Sequence, residues 1–375
     1  MRRTISLFIA IVLILVTLGV LILASASSAK YDDASYFVKR QLMWLALAFC
    51  AAAVTARLDY SLYKKLAVPL ASVSVLLLLL VRIPGIGTMI NGSWRWLRIG
   101  PITVQPSEIA KVGVIILFAW WIARNQRRID ELKRGIIIPF SMLAVFAFLL
   151  VIEPDFGTTL LVSSVAVSMM FLGGVSVAPL IITGLVGLLG VVILIFRTPE
   201  RMGRILAFLD PQKYEQEEAW QLINSLRAFA GGEVGGVGFG NSMQKYHYLP
   251  EAHTDFIFPI IGEELGLIAS LIVVVMYLLL FVFGLRIALN AKDDFGRLLA
   301  YGITLMVTIQ ALINFAVVTG CVPTKGLALP FISYGGSSLV ICSGMIGILI
   351  NVAHTGMKSP KKSSGNPFKD RARKV

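Results

Sequence analysis

Long runs of apolar residues alternate with short polar segments along the whole of this 375-residue chain. A helix needs roughly 20 apolar residues to cross the hydrocarbon core of a bilayer. Strict polar–apolar alternation, which marks the strands of an outer-membrane barrel, does not occur in the sequence. Six runs contain no Asp, Glu, Lys or Arg: Thr4–Ala29, Gly135–Ile152, Phe156–Phe196, Leu265–Leu285, Leu298–Thr324 and Gly326–Met357. The pattern therefore predicts an all-α polytopic membrane protein.

Polar breaks divide the apolar sequence into about ten predicted transmembrane helices. The run Phe156–Phe196 is too long for one crossing, and Gly173, Gly174 and Pro179 divide it into a sixth and a seventh span. A large polar loop, 197–254, separates the seventh span from the eighth. The other predicted spans are Thr4–Ala24, Gln41–Ala56, Leu66–Val81, Pro106–Ala123, Gly135–Ile152, Phe256–Leu285, Leu298–Gly320 and Gly335–His354. They form one membrane domain, 1–357, and we expect the basic tail that follows, 358–375, to be disordered.

Composition supports this class, and charge gives an orientation. Only 15% of the residues are charged and the mean hydropathy is +0.81, whereas soluble proteins carry about 25% charged residues. Of the Lys and Arg residues, 20 fall on the side of the N-terminus and 13 on the opposite side, and six of those 13 belong to the loop 197–254. Because Lys and Arg accumulate in cytoplasmic loops, both termini are predicted to be cytoplasmic. The net charge of +13 is therefore not a sign of nucleic-acid binding.

Several common kinds of site are not expected. Cys50, Cys321 and Cys342 lie in or near apolar spans without metal-ligand spacing, and the three histidines are scattered, so no zinc site is predicted. The run 231–240 is rich in glycine, but no strand precedes it and no Gly-Lys-Ser/Thr follows. These features favour a flexible loop over a nucleotide site.

Ionisable residues near the predicted outer boundary are the candidates for chemistry. Glu108 and Lys111 share a helix face, either as functional groups facing a cavity or as a structural ion pair. Asp255 precedes the eighth span, where it is either the helix N-cap or a functional carboxylate. Arg98 lies in a Trp–Arg segment that suits the membrane interface or a phosphate. The segment 219–230 has the apolar spacing of an amphipathic helix that lies on the membrane or packs on the bundle.

Four groups of residues, taken in order, resemble the motifs of the SEDS family (shape, elongation, division and sporulation). The resemblance covers about residues 5–355 and is nearest to the division branch of the family, although Glu153 stands where we expect Gln in a division-type member. The groups are Gln105–Lys111, Glu153–Thr158, Leu249–Phe258 with Gly262–Gly266, and Pro323–Gly326 with Pro330–Ser338. Several long motifs in a fixed order are far more specific than a single short one.

The resemblance implies a peptidoglycan glycosyltransferase that joins lipid II units into glycan strands and releases undecaprenyl diphosphate, in cell division or elongation. It implies a class B penicillin-binding protein as partner, together with other divisome or elongasome membrane proteins. The expected location is the bacterial cytoplasmic membrane. The resemblance also suggests use of Mg²⁺ or Mn²⁺, with Glu108 and Asp155 as candidate ligands, and no nucleotide.

Lipid II polymerisation joins the C4 hydroxyl of one sugar to C1 of the growing chain while a lipid diphosphate leaves. Such a reaction benefits from a general base and from cations near the leaving group. We predict that Asp255 is the general base and that Glu108 and Lys111 are further catalytic residues. Substrate contacts are predicted for Arg98, Asp155, Arg197, Arg201, Arg204, His253, Lys325 and Ser337.

Two other functions are compatible with many spans and buried charges. A lipid II flippase is expected to distribute ionisable groups through the depth of the membrane, whereas here they cluster on the predicted outer side. A scaffold that only recruits the transpeptidase leaves Glu108, Lys111 and Asp255 without a role. The sequence therefore favours an outward-facing enzyme.

Overall fold

The computed structural model of the chain describes residues 1–27, 35–90, 93–100, 102–246, 249 and 253–358. Most of these residues are helical. The α-helices are α1 (Arg2–Ser27), α2 (Ser35–Arg57), α3 (Ser61–Lys65), α4 (Ala67–Leu80), α5 (Pro106–Asn125), α6 (Ile138–Ile152), α7 (Phe156–Leu172), α8 (Val177–Phe196), α9 (Pro199–Leu209), α10 (Trp220–Gly232), α11 (Ile257–Leu289), α12 (Asp294–Val318) and α13 (Gly336–Lys358). A 3-10 turn, Gln126–Arg128, and a π-helical turn, Leu132–Ile137, join α5 to α6.

The apolar helices agree with the predicted spans. Eight helical spans in the described ranges are long and apolar enough to cross a membrane, and α4 and α7 are two shorter apolar helices. Their ends lie within a few residues of the boundaries expected from the sequence. The prediction of an all-α polytopic membrane fold is therefore confirmed. Apart from Lys358, the basic tail lies outside the described residues.

The centre of the bundle is formed by α5, α12 and α13. Helix α12 packs against α5, α7 and α11, and α13 packs against α2. Helix α8 lies at the edge, where Leu180 is its one fully buried residue. Its remaining apolar side chains are available to lipid, as expected for a membrane helix with few protein neighbours.

A small sheet, which the sequence analysis did not predict, joins α4 to α5. Strands β1 (Gly87–Ile90), β2 (Ser93–Ile99) and β3 (Ile102–Val104) form an antiparallel meander with β2 in the middle. The turn between β2 and β3 includes Gly100 at φ +61°, a conformation that glycine adopts without steric cost. The sheet presents the side chains of β2 beside the end of α6.

Helix α11 is broken at Gly266, which has φ +79° and ψ −176°. The rings of Phe258 and Tyr277 both contact the ring of Phe315, at centroid distances of 4.6 and 5.5 Å. Nineteen residues of straight helix would separate Phe258 and Tyr277 by roughly 28 Å. The two parts of α11 therefore fold back on each other, and only the second part, 267–289, has the length of a membrane crossing.

The glycine-rich loop fills the break in α11. The backbone N–H groups of Val237 and Gly238 donate to the carbonyls of Glu263 and Glu264, at 3.0 Å each. The N–H of Leu267 donates to the carbonyl of Glu233, also at 3.0 Å. These bonds satisfy backbone groups that the break leaves without helical partners. The loop was expected to be flexible, but its glycines instead let two backbones approach closely.

Helix α10 is amphipathic, as predicted, but its buried face consists mainly of small and polar residues and differs from the predicted apolar stripe. The buried residues are Leu222, Asn224, Ser225, Ala228 and Gly232, and the Ser225 hydroxyl donates to the carbonyl of Val318. Leu226, from the predicted apolar stripe, is exposed. Small residues let α10 pack closely on α11 and α12, and the ring of Phe229 packs on that of Phe258 in α11, with 5.7 Å between centroids.

Candidate active site

The residues that lead into α11 are held by their carbonyl groups. The carbonyl of His253 accepts from the N–H of Tyr334 at 3.0 Å, and that of Thr254 accepts from the Ser333 hydroxyl at 2.6 Å. The carbonyl of Asp255 accepts from the Asn314 amide at 2.8 Å. Three consecutive backbone groups are thereby fixed to α12 and to the loop between α12 and α13. The Tyr248, Pro250, Glu251 and Ala252 positions of the motif lie outside the described residues.

The carboxylate of Asp255 packs on the backbone of Gly326. A Cβ atom at Gly326 would lie 2.5 Å from Oδ2 of Asp255, so a larger residue there would displace the carboxylate. Phe256, not Asp255, is the N-cap of α11, and this cap has no side-chain hydrogen bond. Asp255 therefore stands one residue before the N-cap position of α11.

Asp155 makes the kind of cap that the sequence analysis considered for Asp255. It is the N-cap residue of α7, and its Oδ1 accepts from the N–H of Thr158 at 3.1 Å. The Gln105 amide approaches Oδ2 at 3.5 Å. Asp155 is buried, so these contacts satisfy much of its hydrogen-bonding capacity.

Two cations contact the ring of Phe156. The ammonium of Lys325 lies 4.3 Å from the centroid of Phe156, and the Arg201 guanidinium lies 4.9 Å from the same centroid. Neither forms an ion pair within the described ranges. Arg204, one turn further along α9, pairs with the exposed Glu200 at 2.9 Å. We call Lys325, Arg201 and Arg204 the cation cluster.

Burial and the neighbouring arginines lower the pKa of Lys325. Burial is the largest cause, followed by the charges of Arg201 and Arg204, and together they lower the pKa of Lys325 from 10.5 to about 8. Like charges gathered around a partly buried ammonium favour an anion as the missing partner. Gly326, the residue that follows Lys325, lies next to the carboxylate of Asp255, so the segment that carries Lys325 contacts the segment that carries Asp255.

Glu108 and Lys111 form a buried ion pair, with 2.7 Å between Nζ and Oε1. Lys111 is 1% exposed, and its Nζ also donates to the Gln310 side-chain oxygen at 3.0 Å. The amide of Gln310 donates to the carbonyl of Ala328 at 2.7 Å. The pair therefore reaches the loop that carries Lys325 through one intermediate side chain.

Asn314 lies one helical turn beyond Gln310 on α12. Its amide donates to the carbonyl of Leu327 at 2.7 Å as well as to that of Asp255. These two amide side chains tie the Asp255 segment and the 325–328 loop to the same helix.

Arg95 on β2 holds the turn between α6 and α7. Its guanidinium donates to the carbonyls of Glu153 and Pro154, at 2.9 and 2.8 Å. The Glu153 carboxyl is fully buried, and neither oxygen has a hydrogen-bond partner in the described structure. Burial, and next the charge of Asp155, raise the pKa of Glu153 to about 8. The turn so fixed leads into Phe156, which supports the cation cluster.

The remaining predicted substrate residues lie around this centre. Arg98 on β2 and Arg197 at the end of α8 are exposed and form no ion pair within the described part of the chain. The ring of His253 lies 5.1 Å from that of Phe37 and 6.1 Å from that of Tyr334. Ser337 is buried at the start of α13. Of the predicted substrate residues, the structure brings Lys325 and Arg201 together on the ring of Phe156.

The two candidate metal ligands are both engaged elsewhere. Glu108 is paired with Lys111, and Asp155 caps α7. Among the described residues, no three His, Cys, Asp or Glu side chains are grouped as a protein metal site requires. These residues do not fit a metal site built from the protein alone.

Sequence reasoning missed Gln310, Asn314, Phe156 and Gly326. The first two carried a usable signal, because amides one turn apart in an uncharged span are costly unless they bond to something. Phe156 and Gly326 carried none, since their roles depend on which distant residues meet them.

Comparison with known proteins identifies relatives over nearly the whole chain. The family model described as cell cycle protein, which covers FtsW, RodA and SpoVE, matches residues 5–358. A probable peptidoglycan glycosyltransferase FtsW of Trichlorobacter lovleyi is 43% identical over 351 residues, 92% of each chain. Stage V sporulation protein E of Bacillus subtilis is 38% identical over 352 residues, 92% of this chain and 96% of its own.

Solved structures with the same fold cover nearly the whole chain. A chain from a study of the structural coordination of polymerization and crosslinking by a peptidoglycan synthase complex is 27% identical, with a TM-score of 0.77 over 94% of this chain and 98% of that one. The crystal structure of the rod-shape-determining protein RodA of Thermus thermophilus has a TM-score of 0.71 at 27% identity, over 92% and 95% of the two chains. Family model, relatives and fold all coincide, and the chain belongs to the SEDS family, with FtsW, RodA and SpoVE.

Proposed function

We propose that Asp255 is the general base of lipid II polymerisation and that the cation cluster binds the leaving diphosphate. The chain is a peptidoglycan glycosyltransferase of the FtsW type. The assignment of roles rests on the contact between the segment of the proposed base, Asp255, and the segment that carries the cation Lys325. The carboxylate of Asp255 lies against Gly326, and the neighbouring residue, Lys325, belongs to the cation cluster.

The reaction needs both groups at once. The C4 hydroxyl of the incoming sugar attacks C1 of the growing chain, forms the new C–O bond and breaks the bond from C1 to the diphosphate oxygen. Asp255 takes the hydroxyl proton as the bond forms, a role worth ~10²–10⁴-fold in rate. Lys325, Arg201 and Arg204 stabilise the negative charge that develops on the diphosphate.

The buried residues beside this centre serve to position it. Glu108 and Lys111 act on the loop of Lys325 through Gln310, and Asn314 fixes both that loop and Asp255. We therefore assign Glu108 and Lys111 an indirect catalytic role, without substrate contact. Arg98, Arg197, His253 and Ser337 are proposed to bind more distant parts of the substrate.

The substrate is proposed to be lipid II, presented from the outer leaflet of the bacterial cytoplasmic membrane, with both termini of the chain in the cytoplasm. The proposed partner is a class B penicillin-binding protein, by analogy with the synthase complex whose chain has the same fold. A requirement for Mg²⁺ or Mn²⁺ is a prediction from the resemblance, and no step above depends on it.

Asp255→Asn tests the assignment. Asn keeps the size and polarity of the side chain and caps a helix about as well as Asp, so the free energy of unfolding should change by well under ~1 kcal/mol. Polymerisation of labelled lipid II by the purified protein should fall by ~10²-fold or more. Asp210→Asn, an exposed carboxylate in the same outer loop, is the matched control and should leave both quantities unchanged.

Normal polymerisation by the Asn variant would exclude Asp255 as the base. A loss of activity that follows a loss of folded protein would instead make Asp255 structural. The same assay separates an enzyme from a flippase or a scaffold, because neither of those forms glycan strands from lipid II.

A further inference from the structure

The segment that carries Asp255 is closed at both ends by buried polar contacts. Lys245 stands ten residues before Asp255 and Glu264 nine residues after it. These distant positions meet in the structure, with 3.1 Å between Nζ of Lys245 and Oε1 of Glu264. The two side chains are 1% and 0% exposed. The mechanism proposed above uses neither of them.

A second contact runs parallel to the first. The carboxylate of Glu263 accepts from the hydroxyl of Ser242, from the N–H of Met243 at 2.9 Å and from the N–H of Gln244 at 3.3 Å. The chain before Asp255 is thus bound to two successive carboxylates of the chain after it.

The closure is also attached to the bundle. The hydroxyl of Ser25, in the last turn of α1, donates to Oε1 of Glu264, and Nζ of Lys245 lies 3.0 Å from the same hydroxyl. The third contact of Nζ is the carbonyl of Gly240. The ends of the Asp255 segment therefore have a fixed position relative to α1 as well as to each other.

Stability alone does not account for a pair of this kind. A buried ion pair recovers little more than its desolvation cost, and apolar residues of similar volume often stabilise a protein as well or better. An ion pair does impose one relative geometry on the groups it joins. A catalytic base has a strict need for geometry, because an error of about 1 Å can cost ~10²-fold in rate.

We propose that Lys245, with Glu264, is a positioning residue that holds the segment of Asp255 in the geometry required for proton transfer. This inference rests on the proposed role of Asp255. It assigns no substrate contact to Lys245 or Glu264. It predicts that the loss of the pair lowers kcat and leaves KM for lipid II nearly unchanged, because the cation cluster is intact.

The test compares Lys245→Met/Glu264→Gln with Arg227→Met. The double variant removes the ion pair of Lys245 with Glu264 without leaving an unpaired buried charge, and the contacts of Glu263 remain. The control breaks the ion pair of Arg227 with Glu215, which lies in the same outer loop but is exposed and does not join the two ends. Ser242→Ala is a milder second variant, since Glu263 keeps its two backbone donors.

Two readouts are taken on each purified, folded variant. In the double variant, kcat should fall by at least ~10-fold with KM within about threefold of the parent value. Amide hydrogen exchange in peptides covering 246–262 should accelerate by ~10-fold or more, while peptides from α12 stay unchanged. Ser242→Ala should shift both quantities in the same direction by about threefold, and Arg227→Met should shift neither.

Unchanged exchange in folded variants would overturn the proposal, since the contacts would then not hold the segment. Accelerated exchange with normal kcat would also overturn it, because the geometry of Asp255 would not depend on the pair. The exchange measurement does not require that Asp255 be the base. A failure of the proposed function in the Asp255→Asn test is therefore distinguishable from a failure of this inference.

Discussion

Lys325 combines a functional position with a cost in stability. Its pKa in the folded protein is about 8, below the ordinary value of 10.5. The folded state therefore binds this proton less tightly than the unfolded state, so the charged side chain opposes folding at pH 7 and the opposition disappears as the pH rises from 8 to 10.5. An anion bound to the cation cluster would remove the same cost.

We predict that Lys325→Met stabilises the protein and inactivates it. Methionine removes the charge and replaces the ammonium–ring contact with a sulfur–aromatic contact to Phe156. The melting temperature at pH 7 should therefore rise, by an amount equivalent to about 1 kcal/mol in the free energy of unfolding. Polymerisation should fall by ~10²-fold, as when an electrostatic donor is lost from an active site. Lys213→Met, an exposed lysine in the outer loop, should change neither. Loss of both stability and activity at position 325 would indicate a structural lysine instead.

Glu153 has the opposite pH dependence. Its folded-state pKa of about 8 lies above the ordinary 4.5, so the folded protein favours the protonated acid. The stability that this proton provides is complete below pH 4.5 and is lost as the pH rises to 8.

We predict that Glu153→Gln raises the melting temperature at pH 8.5 by an amount equivalent to a few kcal/mol, on the order of 3. The difference from the parent should nearly vanish at pH 5. Thermal unfolding of both proteins in the same detergent at the two pH values gives the comparison. The control is Glu217→Gln, because Glu217 is exposed, and it should show no such difference. A gain independent of pH would contradict a buried, protonated Glu153.

The sequence identified individual charged residues better than their partners. Asp255 and Lys325 stood out because ionisable groups are rare in such a chain, and the structure places Asp255 against Gly326, the residue that follows Lys325. The sequence could not tell which aspartate is a helix cap, because Asp155 and Asp255 both precede an apolar helix. Only the backbone geometry at each helix start decides, and it assigns the cap to Asp155.

Gly266 allows the broken helix to form. Its φ and ψ lie in a region that is essentially restricted to glycine, and a Cβ atom there would overlap the carbonyl of Val234. We predict that Gly266→Ala destabilises the protein by ~2 kcal/mol or more and lowers activity, because the loop 233–238 would be displaced. Gly187 lies within α8 with open space around it, so Gly187→Ala should be neutral or stabilising by up to ~1 kcal/mol. Equal effects in the two variants, measured by thermal unfolding, would argue against the break.

Hydropathy predicted where the helices lie but not how α11 turns. The chain around Gly266 is apolar apart from Glu263 and Glu264, so the sequence suggested one long span from Phe256 to Leu285. Hydrophobicity measures the solvent preference of a segment and contains no information on its direction. The small sheet was missed for a related reason, because three strands of three to seven residues leave too short a pattern of alternation.

The orientation of the whole molecule can be tested at a position that the structure recommends. Gly236 packs against the backbone of Glu264, but a side chain at Gly235 meets open space. In a background without reactive cysteines, Gly235→Cys should react with an impermeant thiol reagent in cells whose outer barrier is open. Lys65→Cys, at the opposite end of the bundle, should react only after lysis. The reverse pattern would invert the topology and remove the proposed location of the active site.

If the cation cluster binds the leaving diphosphate, as we propose, it also binds the diphosphate of the released carrier lipid. Once C1 has transferred, the released carrier lipid bears the same phosphate oxygens and, as a free monoester, more negative charge. The site that lowers the barrier therefore also retains the spent carrier, and bond formation need not set the pace of turnover. The rate of glycan-strand synthesis then depends on how fast the released carrier lipid is removed from the outer leaflet and recycled.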